Sequence, residues 1–120
     1  MLVTGASRGI GASVALMAGL RGYRVAINYV KDQVSANKVV QAIEAAGGEA
    51  IAIQADVGDF KAVEVMFEAV DRKWGRLDVL VNNAGMLANF RVENVTDENV
   101  SQIFRTNVFS TYFIRISFYF

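Results

Sequence analysis

The chain has 120 residues, 12 basic and 12 acidic side chains, and no histidine, cysteine or proline. That length holds one domain, and the balanced charge leaves no basic field to draw nucleic acid or anionic lipid. Without Cys or His there are no disulfides, no thiolate chemistry and none of the commonest metal ligands, so no metal site is expected.

The elements follow in chain order. An apolar stub reads as a strand over 2–4, and Thr4-Gly5-Ala6-Ser7-Arg8-Gly9-Ile10-Gly11 leads from it into a helix over 9–21. Further strands are read at 23–29, 49–55 and 78–82, with helices at 32–46, 60–74 and from about 97. Val25-Ala26-Ile27, Ala50 to Ile53 and Val79-Leu80-Val81 are short continuous apolar runs, as in strands covered on both faces of a parallel sheet. Ala36, Val39, Val40 and Ile43 form one helical stripe, and Val63, Met66, Phe67, Val70 and Trp74 form another. Gly22, Gly47-Gly48 and Gly75 follow helical runs, where a left-handed residue is wanted. Asp59 and Thr96 are placed to cap helix N-termini. Strand–helix alternation of this kind predicts an open α/β sheet with right-handed crossovers.

The tail breaks the pattern. Ile114, Ile116, Phe118 and Phe120 alternate with Arg115, Ser117 and Tyr119, a period of two. The segment therefore does not read as a continuation of its helix. Residues 1–113 are taken as the domain and 114–120 as an apolar tail suited to strand pairing. No run reads as a signal peptide. The apolar stretch from Val108 is shorter than the about 20 residues of a bilayer span and contains Arg115. A cytoplasmic protein without membrane partners is the expectation.

Chemistry is concentrated in a few residues. Gly5 permits a tight turn off the first strand, and Gly9 and Gly11 let backbone approach a pyrophosphate at a helix N-terminus. Strand before and helix after raise this pattern above a mere small-residue turn. Asp56, beside Val57, ends the third strand, next to the crevice where open α/β sheets bind ligands. Two readings stand for it: acceptor for an adenine amino group, or a turn residue ahead of Asp59. Asn82-Asn83-Ala84-Gly85 ends the fourth strand; composition alone makes it an ordinary turn, although the amides can tie neighbouring strands together. Asn107 falls on the apolar stripe of the last helix. It is either a satisfied core amide or the holder of a water in a proton path. An acid about 20 residues past the glycine loop would favour NAD; here Asn28-Tyr29-Val30-Lys31 stands there, and the nearest acid is Asp32. Arg8 and Lys31 are either solvated cations or partners for a phosphate.

Together these residues resemble the short-chain dehydrogenase/reductase family. Its T-G-x-x-x-G-x-G turn matches Thr4 to Gly11, with Ser7, Arg8 and Ile10 inside it. Its adenine-contacting Asp matches Asp56, its N-N-A-G matches Asn82 to Gly85, and the Asn of its catalytic tetrad matches Asn107. Ser7-Arg8 and Asn28-Tyr29 are most similar to 3-oxoacyl-acyl-carrier-protein reductases. The resemblance implies a truncated Rossmann fold, a doubly wound parallel sheet of about four strands in order 3-2-1-4. It implies NADP(H) rather than NAD(H) as cofactor, and oxidoreduction of carbonyl and alcohol groups. The cofactor contacts would be Gly5, Ser7, Arg8, Gly9, Ile10, Gly11, Asn28, Tyr29, Asp56, Val57, Asn83, Ala84 and Gly85, and Asn107 would join the proton relay. Family members are usually homo-oligomers, and this chain, with its apolar tail, is expected to self-associate. The family's Tyr-x-x-x-Lys pair does not occur in these 120 residues. The expectation is an N-terminal half, inactive by itself; a non-catalytic dinucleotide-binding or decoy protein is the alternative.

Overall fold

Among the described residues, four strands lie parallel in the order 3-2-1-4 with helices on both faces. A computed structural model describes residues 1–119. The elements are β1 (Leu2–Val3), α1 (Gly9–Leu20), β2 (Arg24–Tyr29), α2 (Gln33–Ala45), β3 (Glu49–Gln54), α3 (Phe60–Trp74) and β4 (Leu80–Val81). A single 3-10 turn (Val92–Asn94) precedes α4 (Asp97–Phe104), a π-helical turn (Arg105–Phe109) and α5 (Ser110–Tyr119). Leu2 pairs with Ala26 on one side and Leu80 on the other, and all six residues of β2 pair with β3.

The two-residue period of the strands sorts the core into two layers. Val3, Val25 and Ile27 point towards α1 and α2 and meet Ala15, Ala18, Val39 and Ile43. Leu2 and Ala26 point the other way, into Val63, Met66 and Val70 of α3. Both helical stripes read from the sequence are thus the buried faces. The helix ends also form as read. Asp59 accepts from Lys61 N–H at 2.9 Å, Thr96 and Asn99 make a capping box, and Gly22, Gly47 and Gly75 take positive φ after their helices.

The tail differs from its expectation. It is helical through Tyr119 and lies on α3 rather than pairing as a strand. Ser110 and Ile114 are buried, and Phe113 and Ser117 half-buried, at i, i+3, i+4 and i+7. Two of those four positions are serines, so the buried stripe is invisible to a hydropathy pattern. Phe113 packs edge-on against Phe60 with ring centroids 5.6 Å apart. Phe120 and the strand role assigned to it lie outside the described residues. No helix among the described residues is long and apolar enough to cross a membrane.

Candidate dinucleotide site

The strand ends of β1, β2, β3 and β4 converge on one edge, and the loops that follow them carry almost every candidate residue. Thr4 is the hub. It is buried, and its Oγ1 accepts from both Asn83 N–H and Ala84 N–H at 3.0 Å while its hydroxyl donates to Val81 O at 3.3 Å. Asn83 closes the circuit: its Nδ2 donates to Thr4 O at 2.9 Å and Gly5 O at 3.1 Å. Asn83 therefore bolts the glycine loop to the end of β4. Thr4 is a site-building residue that the sequence reading passed over; the signal was its place at the head of the glycine turn.

The close packing explains the small residues. Gly5 has φ 61°, and a Cβ there would lie 2.9 Å from Ala84 Cα. A Cβ on Gly11 would lie 2.6 Å from Gly5 O and run into Asn83 Nδ2. Only glycines let the loop fold back on α1 and touch Ala84 at once.

The loop leaves a helix end open. Gly5 N–H donates to Asn28 Oδ1 at 3.1 Å and Ala6 N–H to Asn28 O at 2.8 Å, so the strand-side amides are used. Beyond them α1 starts at Gly9 with Arg8 in the N-cap position and no side chain capping it. Asp32, Asp59 and Thr96 cap α2, α3 and α4. The first turn of α1 thus presents N–H groups and a positive dipole end beside exposed Arg8, Gly9 and Ile10, with Ser7 half-buried. The open first turn can take a phosphate, and the missing Cβ atoms of Gly5 and Gly11 let the loop before it close against Ala84 and Asn83.

The other candidates are distributed around it. Asp56 is exposed; its Oδ1 accepts from Gly58 N–H at 2.8 Å. It is therefore a turn residue with its second oxygen still available, and Asp59 is the cap. Val57 is buried under it. Tyr29 is buried in the α1–α2 core, while Lys31 is exposed. Asp32 caps α2 by accepting from Ser35 N–H at 2.9 Å. The Ser35 hydrogen bonds, with smaller help from Arg8 and Lys38, hold its carboxyl below the usual range.

Asn107 differs from the buried amide expected of it. It is exposed, lies in the π-helical turn, and bonds the Met86 backbone twice. The extra residue of that turn swings the side chain out of the helix stripe towards Gly85; a Cβ on Gly85 would sit 3.6 Å from Asn107 Oδ1. The structure thus gathers Thr4 to Gly11, Asn28, Asp56 and Asn83 to Gly85 at one sheet edge, with Asn107 attached to the far side of the fourth loop.

The family model for short chain dehydrogenase matches residues 1–118. The chain is 43% identical over 113 residues to versicolorin reductase 1 of Aspergillus parasiticus, covering 94% of this chain and 43% of that protein. It is 39% identical over 113 residues to trihydroxynaphthalene reductase of Colletotrichum orbiculare, covering 94% and 40%. A short-chain dehydrogenase from Burkholderia cenocepacia, solved in complex with NADP, superposes with a TM-score of 0.94 at 40% identity, over 98% of this chain and 48% of that one. The chain spans less than half the length of these relatives. The match to the family model over nearly all of its length, together with the glycine loop locked to Asn83, shows that the chain belongs to the short-chain dehydrogenase family.

Proposed function

We propose that these residues are the dinucleotide-binding part of an NADP(H)-dependent oxidoreductase acting on carbonyl and alcohol groups, of the 3-oxoacyl-reductase kind. The observation that carries this reading is the uncapped start of α1 behind a glycine loop whose Gly5 and Gly11 are packed too closely for a Cβ. The first-turn amides from Gly9 hold the pyrophosphate. Arg8 pairs with the 2′-phosphate, since the end of β2 carries Asn28-Tyr29-Val30-Lys31 in place of an acid and the nearest carboxylate there, Asp32, is engaged as the α2 cap. The free oxygen of Asp56 accepts from the adenine amino group, and Ala84-Gly85 leave room for the cofactor to cross β4. NADP(H), when bound, supplies the hydride. Asn107 is the family's relay residue and fixes the backbone at Met86.

On their own the 120 residues bind cofactor without turnover, because they contain no Tyr-x-x-x-Lys to protonate a carbonyl; a positioned acid contributes about 10²–10⁴-fold. Fluorescence titration with NADPH and NADH tests the binding, and NADPH oxidation with an acetoacetyl thioester tests the chemistry. Saturable binding, tighter for NADPH, with no turnover is expected. Lack of saturation at millimolar cofactor overturns the binding assignment. Turnover of about 1–10³ s⁻¹ overturns the second.

Self-association belongs to the same proposal. Val100, Phe104, Val108 and Tyr112 are exposed along α4, the π-helical turn and α5, and large exposed apolar patches draw partners. Sedimentation should show species above the monomer, reduced by Phe104→Glu with Val108→Glu.

A further inference from the structure

Asn28 ends β2's inward face and is 1% exposed. Its carboxamide is fully occupied by backbone. Oδ1 accepts from Gly5 N–H at 3.1 Å, and Nδ2 donates to Ala55 O at 2.9 Å and Ile53 O at 3.4 Å. Its own carbonyl accepts from Ala6 N–H at 2.8 Å. One residue therefore grips the turn into the phosphate cradle and the end of β3, immediately before Asp56. None of its polar side-chain atoms is left to reach a cofactor.

We propose that Asn28 is a positioning residue that sets both ends of the dinucleotide groove at once, the phosphate loop through Gly5 and Ala6 and the adenine side through Ala55. Its effect on affinity rests on the dinucleotide-binding reading above; its effect on loop order does not. The chemistry requires an amide. One oxygen must accept from an N–H, and the other terminal atom must donate to two carbonyls. An ionised carboxylate keeps the first bond and turns the second into oxygen–oxygen repulsion. A protonated carboxyl restores the donor. Buried and facing two carbonyls, an Asp at this position stays protonated to higher pH than usual. The charged residues on the surrounding segments, Arg8, Lys31, Asp32 and Asp56, are all exposed.

Amide exchange protection in wild type, Asn28→Asp and Asn28→Ser decides the matter, with NADPH titration alongside. In N28D the protection of Ala55 and Gly58, on the side that ionisation releases, is expected near wild type at about pH 5 and about tenfold lower by about pH 8, the cost of one lost buried hydrogen bond, while Gly5 keeps its acceptor. NADPH affinity should follow the same profile, with wild type flat. Asn28→Ser, too short for both partners, should lose loop protection at every pH while Val39 and Ile43 of α2 keep theirs. Wild-type protection at pH 8 of Ala55 and Gly58 in N28D, or of Gly5 in Asn28→Ser, overturns the proposal. Loss at Val39 and Ile43 along with the loop also overturns it, since Asn28 would then hold the fold rather than the groove. If wild type binds no NADPH, the dinucleotide reading fails, and the exchange data still decide the role of Asn28.

Discussion

The Asn107 carboxamide meets the Met86 backbone at two points: Oδ1 accepts from Met86 N–H at 2.8 Å, and Nδ2 donates to Met86 O at 2.9 Å. A side chain thus acts as a one-residue strand partner for the segment after β4. That bond places the π-helical turn and Gly85 in fixed relation. Asn107→Ala removes both hydrogen bonds at an exposed site, so a loss of about 1 kcal/mol is expected. Exchange at Met86 N–H should accelerate well beyond exchange in α3. Unchanged protection at Met86 would contradict the pairing.

Two neighbouring glycines should respond differently to alanine. Gly9 has φ 58° with nothing within 4 Å of an added Cβ. Gly9→Ala therefore meets only backbone strain, about 1 kcal/mol. Gly11 meets Gly5 O and Asn83, which cannot move without opening the loop. Gly11→Ala should lose about 1–3 kcal/mol by overpacking and should abolish NADPH binding. Thermal melts and titration of both variants check the order.

Arg8 is the exposed cation at the mouth of the phosphate cradle. Arg8→Ala should weaken NADPH binding by about 1.5–3 kcal/mol, the worth of a hydrogen bond to a charged group. NADH binding should change far less. An equal loss for both cofactors would mean that Arg8 does not read the 2′-phosphate.

Asp32 makes the start of α2 sensitive to acid. Its carboxyl is held below its ordinary value by the hydrogen bonds from Ser35. A depressed folded-state value means that the carboxylate's contribution is present above the ordinary carboxylate range and is lost as pH falls through the lowered value. The Ser35 amide should therefore lose protection in strong acid. Asp32→Asn, which still accepts a hydrogen bond, should show no such step. Amide exchange at Ser35 across that range is the measurement.

The α5 face carries opposite predictions at adjacent turns. Ile114 is 1% exposed and packs into the α3-side core. Ile114→Ala should cost about 2–5 kcal/mol. Ser117 Oγ is buried with no hydrogen-bond partner. Ser117→Ala removes an unpaired hydroxyl and should stabilise the chain by about 1 kcal/mol. Chemical denaturation of both variants gives the two signs.

The sheet and the first three helices were legible because continuous apolar runs marked the strands, apolar stripes marked α2 and α3, and Gly22, Gly47 and Gly75 marked the helix ends; the Asp32 cap of α2 was not foreseen. The order of strands came from the family resemblance rather than from any pattern. At the tail, Ser110 and Ser117 occupy half of the buried stripe, so apolar alternation at Ile114, Ile116 and Phe118 dominated the reading. For Asn107, helical spacing assumed a regular α-helix; the π-helical turn shifted its side chain away from the stripe. Asn28 was read by its place in sequence as a cofactor contact. Its hydrogen bonds across β1 and β3 depend on register, which no single segment encodes.

The contact between Gly5 and Ala84 bears on recombination among relatives. A Cβ on Gly5 would stand 2.9 Å from Ala84 Cα, and Asn83 grips Gly5 O. The first loop and the fourth, nearly 80 residues apart in sequence, are therefore one steric part. A chimera that imports residues 4–11 from a relative inherits half of a fitted joint. One that imports residues 4–11 and 82–85 together carries the joint intact, and shuffled libraries should yield folded members chiefly of the second sort.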